Sequence, residues 1–257
     1  MIMKTVKSIG LILTITVIHL SLYSCKNESE LPRIVMIVSN QDTYGNTNIR
    51  TANHFEEIVV AYDVFINKGF AVDFVSPDGG AVPIGYLNTT DPIQKQYIYD
   101  HTLMDLLKTT KTPSEIDPEN YKAIYYSGGG AAMFGVPENK TIQNIAKTIH
   151  TNNGVVSAVC HGSAGIVHVK DQNGNPIYYG KKVNGFPNKF ENSKADYFKT
   201  FSFTIEDALK DNGGNYSFSE DGWDGYFVED GNLITGQDPT STQAVAQAVV
   251  DYIFRNN

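Results

Sequence analysis

Cysteine is nearly absent from this chain. Two occur in 257 residues, Cys25 and Cys160. One lies beside the N-terminus, so a domain that follows it has a single thiol and no internal disulfide. Excess positive charge is also missing. The formal net charge is −8, and an acidic balance gives no electrostatic basis for a nucleic-acid partner. No apolar run reaches the roughly 20 residues that a membrane-spanning helix needs. No repeat or low-complexity segment stands out. The glycines from Gly128 lack the lysine-serine ending of a phosphate-binding loop, and no glycine fingerprint follows the first strand. The six histidines and the cysteines show no zinc-ligand spacing, so no metal is expected.

What is present begins at the N-terminus. Lys4 and Lys7 precede a mainly apolar run, residues 9–22, and small and polar residues follow. This is the layout of a secretory signal. The ending Leu22-Tyr23-Ser24-Cys25 resembles a bacterial lipobox. The expectation is a signal peptide over residues 1–25, with Cys25 lipidated and anchoring an exported cell-envelope protein to a membrane. A cleaved soluble signal and a single anchor helix are the alternatives. Residues 26–32 read as a polar tether. Residues 33–257 are long enough for one large α/β domain.

Within that domain, residues 33–39, 70–75, 121–126 and 155–159 predict strands. Residues 55–67, 92–107, 140–151, 163–168, 204–210 and 240–254 predict helices. The helix at 55–67 places Ile58, Val59, Tyr62, Phe65 and Ile66 on one broad face. Residues 226–229 and 233–235 read as a hairpin around Asp230-Gly231. Strands alternating with helices imply βαβ units and a mainly parallel sheet. Ligands then bind beyond the carboxyl ends of the strands. Three loops fall there: after Ser39, after Tyr126 and at Cys160.

The third loop carries the most chemistry. Val155 to Gly165 reads VVSAVCHGSAG, a β-branched run ending in Cys160-His161-Gly162. A strand turning sharply into a helix exposes a nucleophile at its tip. A helix N-terminus at Cys160 would favour the thiolate. His161 would serve as general base or proton shuttle. The backbone N–H groups of Gly128 to Gly130 could hold an oxyanion. A carboxyl near the sulfur would tune it and relay protons. Glu56 and Glu57 lie about 100° apart on their helix, so at most one points inward. His54 is a candidate pocket residue. His101 and His168 read as surface or helix residues. The polar aromatic loop Asp221 to Tyr226 reads as surface cover in preference to a pocket rim.

Several ordered segments carry a family resemblance. They are Glu56-Glu57 with Ala61-Tyr62; Ser76-Pro77-Asp78-Gly79-Gly80 with Val82-Pro83-Ile84; and Ser127-Gly128-Gly129. Ala158-Val159-Cys160-His161-Gly162, Gly185-Phe186, and Leu233 to Gln237 with Pro239 complete the set. Together they resemble the PfpI-like superfamily, related to class I glutamine amidotransferases. The closest branch is that of heat-shock chaperones and glutathione-independent glyoxalases. The resemblance implies a flavodoxin-like three-layer α/β sandwich, with a mainly parallel central sheet, helices on both faces and a nucleophile elbow. It implies Cys160 as nucleophile, His161 as its histidine and Glu57 as the acid. A third polar partner would be Glu191, with Asp196 as the alternative. Gly129 and Gly130 match the oxyanion loop.

The chain also departs from that pattern. Gly130 stands where the branch often has histidine, and Gly135 and Gly85 where it has aspartate. Asp238 stands where it has asparagine. The implied activity is conversion of a small 2-oxoaldehyde such as methylglyoxal to a 2-hydroxy acid, without a cofactor, with deglycase or chaperone roles beside it. The alternatives are hydrolysis of a peptide-like substrate and a non-catalytic envelope chaperone or redox sensor. The chain has no histidine after His168, which argues against the glutaminase subclass. Homodimers are common among such relatives.

Overall fold

The computed structural model describes residues 31–256. The expected signal peptide, the lipidation site Cys25 and residues 26–30 of the tether lie outside the described residues. From there the chain runs β1 (Arg33–Ile37), β2 (Asn53–His54), α1 (Phe55–Asn67), β3 (Ala71–Val75) and β4 (Ile84–Gly85). Helices α2 (Pro92–Ile98) and α3 (His101–Lys108) precede β5 (Tyr121–Tyr126), α4 (Lys140–Thr151) and β6 (Val155–Val159). Next come β7 (Lys182–Val183), α5 (Ile205–Asp211), β8 (Asn215–Tyr216), β9 (Phe227–Asp230), β10 (Leu233–Gly236) and α6 (Thr242–Arg255).

Six strands form the central sheet, in the order β3-β1-β5-β6-β10-β9. All pairs are parallel except the edge pair β10–β9. Two-residue strands make the small parallel pairs β2–β4 and β7–β8. Strand β1 shows why both faces are covered. Ile34 and Met36 join the core formed with α1 and α6, while Val35 and Ile37 join the core formed with α4. A strand buried on both faces reads as a continuous apolar run, as Ile34 to Ile37 do. Helix α4 turns Ile142, Ile145, Ala146 and Ile149 inward, the spacing of a single helical face. Its N-cap, Asn139, accepts from the N–H groups of Thr141 and Ile142. The result is the flavodoxin-like three-layer sandwich.

Two helix expectations change. The single helix over 92–107 is broken after Ile98, because Asp100 caps a new start by accepting from the N–H groups of Thr102 and Leu103. The α-helix expected over 163–168 is a 3₁₀ helix instead, Cys160–Ile166. Gly162 packs directly on the Tyr126 carbonyl and Gly165 on the Tyr126 ring, leaving no room for a Cβ at either. This close approach to β5 winds the segment tightly. A short 3₁₀ turn carries little of the macrodipole expected to hold a thiolate.

Candidate active site

The carboxyl ends of the neighbouring strands β5 and β6, with the loop after β1, meet at a pocket of about 360 Å³ containing Cys160. Cys160 follows β6 directly and sits at φ 56°. A left-handed non-glycine residue stores backbone strain, which persists only where the surroundings enforce it. Here glycines enforce it. A Cβ at Gly128 would come within 2.8 Å of Glu57 Oε2 and of the backbone nitrogens of His161 and Gly162. The glycine loop and the elbow are thus packed backbone to backbone. Tyr86 (φ 57°) and Trp223 (φ 47°) are also left-handed and line the same pocket.

Helix α1 delivers the acid. Glu57 is fully buried, and its Oε2 accepts from the Gly128 N–H at 2.6 Å. Its remaining polar interaction is with the Cys160 thiol. Glu56, one residue earlier, turns out toward Gln94. Burial is the main reason that Glu57 is pushed up to about 8, only partly offset by the Gly128 N–H and the thiol. Glu57 is therefore a carboxylic acid at neutral pH, able to donate a proton toward sulfur. Burial also pushes the Cys160 thiol up, and Glu57 adds to the rise. The low-pKa thiolate expected from a helix terminus is not what this environment favours: a buried sulfur needs a base to take its proton as it reacts. The same burial counts against an exposed redox-sensing thiol.

That base is in place. His161 Nδ1 lies 3.4 Å from Cys160 Sγ, and His161 Nε2 lies 2.8 Å from Glu191 Oε1. A carboxylate on Nε2 favours the tautomer with its hydrogen there, which presents the Nδ1 lone pair to the sulfur. The ring is held by stacking on Phe186, 4.5 Å between centroids. Glu191 comes from the loop following Gly185-Phe186. Asp196, the alternative, is on the surface with Lys199.

The oxyanion loop is narrower in role than expected. The Gly128 N–H is taken by Glu57 and the Gly130 N–H donates to the Tyr86 hydroxyl at 3.4 Å, although Gly129 and Gly130 both line the pocket. His54 lines it too and stacks on Tyr86 at 4.7 Å and 8°. Burial, helped by the nearby His161, pulls His54 down to about 4, so it is neutral. His168 and His101 are exposed and away from the pocket. Trp223 corrects the surface-cover reading: it packs on Phe190 at 5.0 Å and forms one wall. Its backbone is pinned by Asp238, whose Oδ2 accepts from the Trp223 N–H at 2.8 Å. Tyr44, Tyr86, Phe190 and Tyr197 also line the pocket, and sequence reasoning missed all of them. No grouping of metal-binding side chains occurs among the described residues.

Residues 49–252 match the model of the DJ-1/PfpI family. This chain belongs to the DJ-1/PfpI family. Among its relatives is the glutathione-independent glyoxalase HSP31 of Saccharomyces cerevisiae, 31% identical, over 85% of this chain and 96% of the relative. Glyoxalase 3 of Candida albicans is 30% identical, over 84% of this chain and 96% of the relative. Of solved structures, the Francisella tularensis rapid encystment protein REP24 superposes with a TM-score of 0.81 at 30% identity, covering 87% of this chain and all of that one. The glyoxalase III crystal structure from Candida albicans gives 0.77 at 26% identity, covering 86% and 97%. Gly130, where the resemblance implied a histidine, is tightly surrounded. A Cβ there would strike the Tyr44 hydroxyl and come within 2.6 Å of Thr51 Oγ1. Tyrosine from the loop after β1 fills the space that a side chain at position 130 would need.

Proposed function

We propose that this DJ-1/PfpI protein is a glutathione-independent glyoxalase that converts a small 2-oxoaldehyde such as methylglyoxal to a 2-hydroxy acid. The observation that carries this reading is the Cys160–His161–Glu191 chain of contacts, with protonated Glu57 beside the sulfur, opening into a pocket. The relatives named above support it.

His161 Nδ1 takes the thiol proton as Cys160 sulfur adds to the aldehyde carbon. The C=O π pair moves to oxygen, which takes that proton back, giving a hemithioacetal. Glu57 steadies developing charge on sulfur by donating its own hydrogen bond. His161 then removes the C1 hydrogen as a proton, and the electrons run through an enediol to C2. Reprotonation at C2 leaves a thioester of the 2-hydroxy acid. Water cleaves that ester and restores the thiol. The sum is aldehyde plus water to 2-hydroxy acid, with no external oxidant or reductant. Throughout, Glu191 stabilises the imidazolium and holds its tautomer.

The test is lactate formation from methylglyoxal by the purified full chain without glutathione. Amine release from peptides in place of lactate would point to acyl transfer and overturn the reading. Glu191→Gln separates the roles further. It keeps the shape but removes the charge facing His161, and is expected to lower kcat on the order of 10²-fold. KM should move little. A kcat within about threefold of wild type would remove Glu191 from the mechanism.

Where the reaction takes place is a separate proposal resting on the sequence. The basic residues, the apolar run and Leu22-Tyr23-Ser24-Cys25 support export and a lipid anchor at Cys25. Cells fed labelled palmitate should label the full chain and recover it with membranes. Cys25→Ser should abolish both. Unlabelled wild-type protein would dismiss the anchor.

A further inference from the structure

We infer that Tyr86, positioned by Tyr44, forms an oxygen-binding subsite that donates a hydrogen bond to a carbonyl oxygen of the 2-oxoaldehyde. The inference rests on the glyoxalase reading and assigns it a residue that the sequence pattern did not. Four observations place it.

The Tyr86 hydroxyl stands over the glycine loop, where it accepts from the Gly130 N–H at 3.4 Å. The Tyr44 hydroxyl lies where a Gly130 side chain would begin, and it interacts with the Tyr86 hydroxyl. Both rings line the pocket that holds Cys160. Their environments differ. Tyr44 is buried, stacked on Tyr197 at 4.7 Å, while Tyr86 is half-exposed at the pocket mouth.

Hydroxyl bookkeeping gives the direction. A phenol has one hydrogen to donate and can accept at its oxygen. The contact with Tyr86 favours the neutral Tyr44 hydroxyl and the contact with Thr51 opposes it, which fits Thr51 donating to Tyr44 and Tyr44 donating to Tyr86. The Gly130 N–H also donates to the Tyr86 oxygen. With both acceptor positions of Tyr86 engaged, its own hydrogen is left for a third group. Tyr86 lines the pocket, where such a group would sit. Two donors pulling on the Tyr86 oxygen polarise its O–H bond and make it a better donor. An aldehyde oxygen becoming an alkoxide, or a C2 oxygen becoming an enediolate, is the acceptor such a donor suits.

The ring is also fixed in place at some cost. Tyr86 adopts φ 57°, a conformation that a bulky residue seldom takes, and it stacks nearly parallel on neutral His54. That stacking gives His54 a part in the site as a platform. A surface tyrosine without a task has no need of this strain.

The experiment uses the full chain, with kcat and KM for methylglyoxal measured on wild type, Tyr86→Phe, Tyr44→Phe and the double variant. Tyr86→Phe keeps the ring and its stacking. It should lower kcat about 30-fold and change KM less than threefold, because the bond strengthens as charge develops. Tyr44→Phe acts through Tyr86 and should cost about fivefold. The double variant should match Tyr86→Phe alone, since Tyr44 has nothing left to position. Gly130→Ala, whose methyl displaces the Tyr44 hydroxyl, should behave as Tyr44→Phe does. A kcat for Tyr86→Phe within twofold of wild type overturns the subsite. So does a loss confined to KM, or full additivity in the double variant. A wild-type protein that forms no lactate overturns the glyoxalase reading itself, which the variants' relative rates do not address.

Discussion

Cys160→Ala is expected to abolish lactate formation, with kcat/KM for methylglyoxal falling at least about 10⁴-fold. Cys160 is the only thiol among the described residues, and no other side chain in the pocket combines a nucleophilic atom with an adjacent base. Cys160→Ser should be nearly as inactive. Its hydroxyl is a far weaker acid than a thiol, and the 3.4 Å reach of His161 Nδ1 suits the larger sulfur atom. Neither variant should unfold. Alanine and serine accept the same space, and the left-handed φ is imposed by the packed glycines and not by sulfur. Thermal melts within a few degrees of wild type, beside absent lactate, are the anticipated pair of results. More than about 1% of wild-type activity in Cys160→Ala would sink the covalent mechanism.

Glu57 carries the second large effect, and its sign follows from burial. With its carboxyl pushed up from 4.5 to about 8, Glu57 is protonated through the neutral range. Its donor toward sulfur is present below pH 8 and lost above it. Ionised Glu57 would also raise the thiol further, so the wild-type rate should fall as pH climbs through about 8. Glu57→Gln keeps an acceptor for the Gly128 N–H and a weaker donor toward sulfur. It should lower kcat at pH 7 on the order of 10²-fold and lose the limb near pH 8. Stability moves with the same proton. The folded state holds it and the unfolded chain releases it near 4.5, so Glu57's contribution is full below that pH and is lost as pH rises through about 8. Glu57→Gln should therefore melt with less dependence on pH between 5 and 9. Glu57→Leu additionally strands the buried Gly128 N–H, at a cost of about 1–3 kcal/mol. An alkaline limb unchanged in Glu57→Gln would assign that titration elsewhere.

Sequence and structure agree where the signal is local. The helix Phe55–Asn67, the strand Tyr121–Tyr126, the helix Lys140–Thr151 and the strand Val155–Val159 fall on their expected bounds. Each rests on a period, a cap or a stop within a few residues. Departures came where a remote group intervenes, or where a side chain within the segment caps a new start. Tyr126 forces Gly162 and Gly165 into a 3₁₀ turn, and Asp100 divides a helix that periodicity alone left whole.

The candidate site divides in the same manner. Cys160 and His161 could be read from a strand running into Cys-His-Gly, and Glu57 and Glu191 followed from the ordered family segments. The structure places all four in contact range as a connected group. Tyr44, Tyr86 and Trp223 could not be read. They come from separate loops after β1, within β4 to α2, and between β8 and β9, so no spacing relates them. Asp238 seats Trp223 from fifteen residues away, and the empty position at Gly130 admits Tyr44.

By itself, then, the sequence determined a mainly parallel α/β sheet with Cys160 and His161 at the end of β6, while the three-layer sandwich and the choice of Glu57 came from the resemblance carried by the ordered segments. Those depend on periodicity, turn chemistry and order along the chain. Only the tertiary structure decided the protonation of Glu57 and Cys160, the walls of the pocket and the tyrosine pair over the glycine loop. Burial is a property of everything packed around a group, and it sets the cost of charge there.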